Sequence, residues 1–408
     1  MNYRSNFENI CDNISQAEHQ LQQKALKIIW WSNVICLPII ATIGLACNIF
    51  NILILSTHSS ARRIPSWDLL LALAVCDCLF LILAIVEVIP TSLSPLFVSS
   101  YFNVVYIHSA LYIRMLASTF YKSSVLLVVM FNLERYICVC HPFRSYNLYS
   151  NHTSRIAIFI CLIVSLLCSL QWPICYRIRS CWDNHLNQHF YIITLTDNPE
   201  LQKYYRLMDY FTLIVFNVLP IVIICILNSR LIVTLWKIVN RDFKIHRSFT
   251  CDDKNNDNAD DRLMTITTVT TTIRNSNANA PVVVDAIRSQ RSAAQCFSAN
   301  AMLFVVVIML LICVGPQVPA RLLFNHYGQY HLTTIIYICV TQQLVFLNAA
   351  LNFCLYCLVS KQYRQLMMET FKGFTGKITE KYCSTIKLEG TSRNSSLRDV
   401  YVKCITVR

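Results

Sequence analysis

The chain has 408 residues, 55% of them hydrophobic and 14% charged, with a formal charge of +13 and only six glycines. Soluble domains carry about a quarter charged residues, so much of this chain is built to avoid water, and so few glycines argue against a fold of many short strands. On a soluble protein that positive charge would point to nucleic acid; here the basic residues lie between apolar runs, so the expected partner is a lipid membrane and no nucleic acid.

Residues 1–27 are polar, lack the basic start and apolar run of a signal peptide, and read as an extracellular tail in which Asn13-Ile14-Ser15 is a glycosylation sequon. Seven apolar segments follow, each close to the roughly 20 residues that cross hydrocarbon as a helix. They are Ile28–Ser56, Trp67–Pro90, Val104–Val139, Arg155–Pro173, Tyr205–Trp236, Ala299–Phe324 and Leu332–Val359. The third is interrupted by Arg114, Lys122, Asn132 and Glu134, and the count of seven depends on it. Lys and Arg crowd one set of loops, at Arg62, Arg63, Arg144, Lys237, Arg241 and Lys361, while Thr91 to Asn103 on the other side has none. The N-terminus is therefore expected outside and the C-terminus in the cytoplasm of a plasma-membrane protein. Residues 240–291, rich in Asp, Asn and Thr, read as a disordered third cytoplasmic loop. The segment from Lys361 to Phe371 suits a short amphipathic helix lying on the membrane. Beyond it, 372–408 is a polar cytoplasmic tail with Ser and Thr for kinases, and hence arrestin, to act on.

Twenty cysteines form no disulfide or zinc pattern, since most sit inside apolar runs where the thiol is a small hydrophobe. No nucleophile–base set or metal cluster points to an enzyme. The fold class is an all-α membrane protein: a seven-helix bundle over 28–371, its last part the amphipathic helix.

Polar groups within a bilayer are costly and face the bundle interior. Asp77 lies deep in LLLALAVCDCLFLIL, with Asn48, Ser124, Asn348 and Asn352 as partners at similar depth. Two readings weigh evenly: a hydrogen-bonded knot that fixes packing, or a sodium or proton site that biases two conformations. Glu134-Arg135-Tyr136 closes the third segment at the cytoplasmic boundary and leads into His141-Pro142-Phe143. Glu87 and Arg114 each lie ten residues outward of that polar layer, about 15 Å along a helix, and are expected to pair across segments two and three. Lys122 points elsewhere, towards Asp209 on the fifth segment.

With Asn48, LALAVCD ending at Asp77, ERY at 134–136, HPF at 141–143, Pro220, CVGP at 313–316 and NFCLY at 352–356, the chain resembles the rhodopsin-like family of G-protein-coupled receptors across Ile28 to Phe371. That resemblance implies a sodium pocket of Asp77, Ser124, Asn348 and Asn352. It also implies an activation set of Glu134, Arg135, Tyr136, Pro142, Phe143, Pro220, Pro316 and Tyr356 that engages a heterotrimeric G protein. Within the family, NAALNFCLYC resembles invertebrate receptors for FMRFamide, myosuppressin and sex-peptide-like neuropeptides. Ala117 stands where amine receptors carry Asp, and Phe346 where opsins carry the retinal Lys, so neither ligand is expected. An amidated peptide is expected instead, its arginine competing for Glu87 beside Arg114, with Ala117, Tyr121, Gln317, Arg321, Tyr337 and Gln342 completing the pocket.

The chain departs from the family pattern at several points. Ala110 occupies the position of the cysteine that would join Cys181 by a disulfide, leaving Cys175 or Cys11 as substitutes. Cys161, Val314 and Asn228 replace a Trp, the toggle Trp and a Tyr, respectively. Alternative readings are a small-molecule chemoreceptor of the same fold, or a seven-span channel or transporter, for which no inverted repeat is visible.

Overall fold

The computed structural model describes residues 27–57, 67–93, 100–141, 151–183, 188–252, 305, 307–327, 332–359 and 363–373, giving the backbone alone for stretches such as 353–359. Asn13, Pro142, Phe143 and Cys11 lie outside these residues, as does the side chain of Tyr356. Six helices are long and apolar enough to cross a membrane: α1 (Lys27–Thr57), α2 (Trp67–Leu93), α3 (Ser100–Cys140), α4 (His152–Cys175), α5 (from Pro199) and α7 (Leu332–Val359). A shorter apolar helix, α6 (Val307–Leu323), lies between the last two, and α8 covers 363–373. The bundle is therefore seven-membered, with the amphipathic helix following it.

These helices are apolar nearly all round, so a greasy stripe cannot decide which face turns inward. Large side chains such as Ile43, Phe159, Leu167, Leu207 and Ile226 remain on the outer surface, suited to lipid tails. Inward faces are chosen instead by the few polar residues and by close backbone contact. Gly44 shows the second device. A Cβ there would lie 2.7 Å from Ala350 Cβ and Leu81 Cδ1 and 3.0 Å from Ala350 Cα, so only glycine lets α1 meet α7 and α2 at this depth. The adjacent Asn48 amide then reaches across to the Ala349 carbonyl at 2.8 Å. Gly44→Val should lower the cell-surface level of the protein several-fold, by a clash worth about 1–3 kcal/mol. Gly373→Ala, where nothing lies within 4 Å of the new Cβ, serves as the control. Equal surface labelling of both variants would refute the close-contact reading.

Local chemistry explains the breaks. Asn198 caps α5, accepting the Glu200 N–H at 3.0 Å, and Pro199 follows at the first helical position. Helix α5 widens into a π segment at Ile214–Val218 just before Pro220, which has no N–H for the preceding turn. It then runs on from Leu219 to Asp252, so the start of the 240–291 segment, read above as disordered loop, is helical. Helix α4 is interrupted at Leu170, ahead of Pro173, and resumes over Gln171–Cys175. In α6 the interruption falls at residues 314–316: Gly315 N–H goes back five residues to the Leu310 carbonyl at 3.3 Å, and Pro316 donates nothing.

One element was not expected from the composition. Tyr176–Asp183 (β1) and Gln188–Leu195 (β2) form an antiparallel hairpin between α4 and α5, with Tyr176 opposite Leu195 and Cys181 opposite Phe190. Alternation in YRIRSCWD and β-branched residues in YIITL are the local signals for it.

Inside, two apolar layers fill the bundle. One contains Leu37, Ala41, Phe80, Leu81, Ala84, Ala117, Val345 and Phe346. The other holds Ile54, Leu73, Leu127, Phe131, Ile224, Leu310 and Val314 and extends to Tyr363 and Leu366 of α8. Helix α8 is fastened to α1 by a hydrogen bond from the Tyr363 hydroxyl to Asn51 and by an edge contact of Phe371 on Phe50.

Candidate functional site

Asp77 lies on α2 between residues of the two apolar layers and is fully buried. Its carboxylate receives one donor on each oxygen: Ser124 Oγ from α3 at 2.6 Å, and Asn352 Nδ2 from α7 at 2.6 Å. Three helices are thus joined at one charge. Asn348 is buried but is not among the donors to Asp77, and Asn48 serves the α1–α7 contact instead. One carboxylate with a hydroxyl oxygen beside it is a hard, oxygen-only donor set of the kind that could contribute to holding a small cation.

Above this layer, on the hairpin side, lies a polar and aromatic junction. The Tyr121 hydroxyl on α3 stands 3.1 Å from Asn217 Oδ1 on α5 and 3.1 Å from Gln317 Oε1 on α6. The π segment of α5 carries Asn217, and the interruption in α6 directly precedes Gln317, so both irregularities position partners of one hydroxyl. The Tyr121 ring also packs on Phe80, 5.6 Å between centroids, and Phe80 on Phe346 at the same distance. Ala117 belongs to this apolar packing. Tyr337 and Gln342 lie half-buried on α7 and hydrogen-bond to none of these residues.

Nearer the hairpin, Arg114 Nε donates to Glu87 Oε1 at 2.6 Å, joining α3 to α2. The same guanidinium lies 5.1 Å over the Trp172 ring. Trp172 packs on Tyr176, and Tyr176 on Tyr205 with their hydroxyls 3.0 Å apart, so α4, β1 and α5 share one aromatic cluster. The side chains of Arg114 and Glu87 are 32% and 18% exposed, which leaves both within reach of a ligand.

The expected Lys122–Asp209 pair does not form. Lys122 donates to the Cys168 carbonyl at 3.0 Å and to Ser169 Oγ at 3.2 Å, where α4 is interrupted, and lies over Phe216. Both acceptors lie just before the interruption at Leu170, a backbone carbonyl and a hydroxyl that charge pairing in sequence does not reveal. Asp209 faces Arg321 on α6 instead, with Nη2 3.0 Å from Oδ1.

At the far end, Glu134 is buried and the Arg135 guanidinium lies 5.2 Å over the Phe131 ring. Tyr136 makes an edge contact with His141. Asn228 on α5 donates to Asn132 on α3 at 3.3 Å, and Val314 on α6 is buried in the apolar layer. Cys175 is a free, buried thiol, so it does not replace the absent cysteine at Ala110; the side chain of Cys181 lies outside the described residues.

A family model for seven-transmembrane receptors of the rhodopsin family matches residues 47–356 of the chain. The chain belongs to this family. Rhodopsin-family membership fits a bundle in which polar contacts, rather than an extended apolar stripe, set the interior. Among curated relatives, a protein named as a probable G-protein coupled receptor of Caenorhabditis elegans is 28% identical over 206 residues, covering 49% of this chain and 46% of the relative. The FMRFamide receptor of Drosophila melanogaster is 30% identical over 145 residues, covering 34% of this chain and 26% of the relative. The match therefore spans less than half the length of either relative.

Proposed function

We propose that this rhodopsin-family receptor is activated by an extracellular, C-terminally amidated peptide of the FMRFamide kind and signals to a heterotrimeric G protein. The observation that carries this reading is the Glu87–Arg114 pair, part-exposed beside Trp172 at the hairpin end of the bundle. An arginine on the ligand takes Glu87 at the cost of an internal pair whose two side chains are 32% and 18% exposed. The displaced Arg114 keeps its place over the Trp172 ring, so neither charge is stranded. Likeness to the FMRFamide receptor in part of the chain adds to that reading. Tyr121 and Gln317 line the deeper wall, with Tyr337 and Gln342 on α7.

In this orientation the hairpin is outside and Arg135 faces the cytoplasm. Binding does work only through different affinity for two bundle arrangements. The α6 interruption at Gly315–Pro316 is the joint about which they differ. Asp77, Ser124 and Asn352 form the layer beneath, where a sodium ion would be held by the carboxylate and the Ser124 oxygen and would stabilise one arrangement by charge.

The test is a screen of amidated peptides on cells expressing the chain, with second messengers as the readout. Glu87→Gln should raise the half-maximal concentration of an arginine-containing agonist about tenfold or more, with surface level unchanged. Unaltered potency would remove Glu87 from the site. A ligand-gated current that persists with G proteins blocked would overturn the receptor mechanism itself.

A further inference from the structure

The contact between Asp209 on α5 and Arg321 on α6 is an incomplete one. Nη2 and Oδ1 are 3.0 Å apart, close enough for an ion pair. They are not aligned for a hydrogen bond, and Asp209 Oδ1 is a buried atom with no hydrogen-bond partner among the described residues. A buried acceptor in this state has the attraction of the charge beside it but lacks the hydrogen bond that would complete its compensation for leaving water. Arg321 is 40% exposed and Asp209 13%. Most of the five guanidinium N–H donors are thus left for solvent or a ligand. One helical turn away on α5, Tyr205 packs edge-on against Tyr176, 5.3 Å between centroids, and near Trp172. A row of unused donors, one unfilled acceptor and an aromatic wall therefore lie together on the hairpin side of the bundle.

We propose that Asp209 and Arg321 jointly read the terminal carboxamide of the peptide and reject the corresponding free acid. This rests on the peptide reading above and names the group recognised. A primary carboxamide offers a carbonyl oxygen and N–H donors on one carbon. Its oxygen accepts from Arg321, and its nitrogen donates to Asp209 Oδ1, completing the atom that the ion pair leaves bare. A carboxylate satisfies Arg321 as well but has no hydrogen to give. It sets a negative oxygen against a negative oxygen, and Oδ1 stays unpaired. Sites built around an N–H reject an analogue lacking it far more strongly than apolar pockets reject a missing methylene. The Tyr176–Tyr205–Trp172 cluster suits an aromatic side chain just before the amide. A pair serving only to tie α5 to α6 would not distinguish the two peptides.

The experiment uses the full chain with a surface tag, expressed in cells. Dose–response curves are taken with the tetrapeptide Phe-Met-Arg-Phe as carboxamide and as free acid. The unmodified receptor should respond to the acid at least about thirtyfold more weakly than to the amide. Asp209→Asn supplies an amide nitrogen of its own, which donates to a carboxylate, so the two peptides should come within about threefold of each other. Arg321→Gln should act in the opposite sense: both peptides weaken, and the acid, having lost its one attraction, weakens more. Should Asp209→Asn fail to reach the surface, the direction of the Arg321→Gln ratio decides. An amide-to-acid ratio unchanged in Asp209→Asn, or lowered or unchanged in Arg321→Gln, overturns the inference and leaves the peptide receptor standing. Surface-expressed wild type that answers neither tetrapeptide sinks the FMRFamide-type reading, and this inference with it.

Discussion

Alanine at position 315 should sharply reduce the amount of folded receptor at the cell surface. A Cβ built on Gly315 falls 2.4 Å from the Leu311 carbonyl oxygen, a distance that side-chain carbons do not tolerate. The crowding atom belongs to the backbone, so no rotamer change relieves it. It arises where Pro316 lacks an N–H and the turn before it widens, the Gly315 N–H reaching back five residues to the Leu310 carbonyl rather than following the regular ladder. Alanine must push α6 out of this shape. Overpacking of this kind costs about 1–3 kcal/mol, enough to shift the folded fraction of a marginal membrane protein by several-fold or more. Tagged surface labelling and thermal unfolding in detergent measure it. The double variant Leu311→Ala/Gly315→Ala provides the sharper check, because trimming the Leu311 side chain leaves its carbonyl where it was. Rescue by that trimming, or a single variant with wild-type unfolding temperature, would show that the glycine is not holding the joint open.

Asp77→Ala should be more damaging than Asp77→Asn. The carboxylate holds Ser124 on one oxygen and Asn352 on the other, both at 2.6 Å, within a residue of zero exposure. Alanine removes both acceptors and strands two buried donors, a loss of about 3 kcal/mol or more where charge-assisted bonds are broken in a dry interior. Asparagine keeps one acceptor and turns an N–H₂ towards one of the donors, so part of the junction survives. The order of unfolding temperatures should be wild type, then Asp77→Asn, then Asp77→Ala. Agonist affinity should fall as sodium chloride replaces choline chloride at constant ionic strength in the wild type, and stay flat in Asp77→Asn. Equal unfolding temperatures for all three would remove the structural role, and an identical salt response in wild type and Asp77→Asn would remove the cation.

How much of this was readable from the chain depends on whether a feature is written in composition or in contact. Seven spans and α8 are visible because about 20 apolar residues in a row have few alternatives to crossing a bilayer. Asp77 with Ser124 and Asn352 was readable for the same reason: a charge in hydrocarbon must be met by polar groups at its own depth. The Glu87–Arg114 contact follows from matched depth on neighbouring helices. The misassignment of Lys122 has the opposite cause. Its acceptors are a carbonyl and a hydroxyl just before the interruption of α4, and a backbone acceptor leaves no letter in the sequence. Once Lys122 is satisfied there, Asp209 is released to Arg321. The hairpin was obscured by the rest of the molecule, since a count of glycines over the whole chain says little about sixteen residues of strand lying on a helical bundle. Of the partners of Tyr121, Gln317 was readable from sequence as part of the same pocket, but Asn217 was hidden, because a π segment shifts it by a fraction of a turn that no periodicity resolves.

Tyr121 brings a single proton to two amide oxygens. Whichever oxygen goes without it faces another lone pair, unless one amide turns over and becomes the giver. Helices α5 and α6 thus meet at the same hydroxyl, which holds both at once when one amide donates to it and the other accepts from it. The Tyr121 hydroxyl is therefore a junction whose hydrogen bonding depends on which way the two amides face.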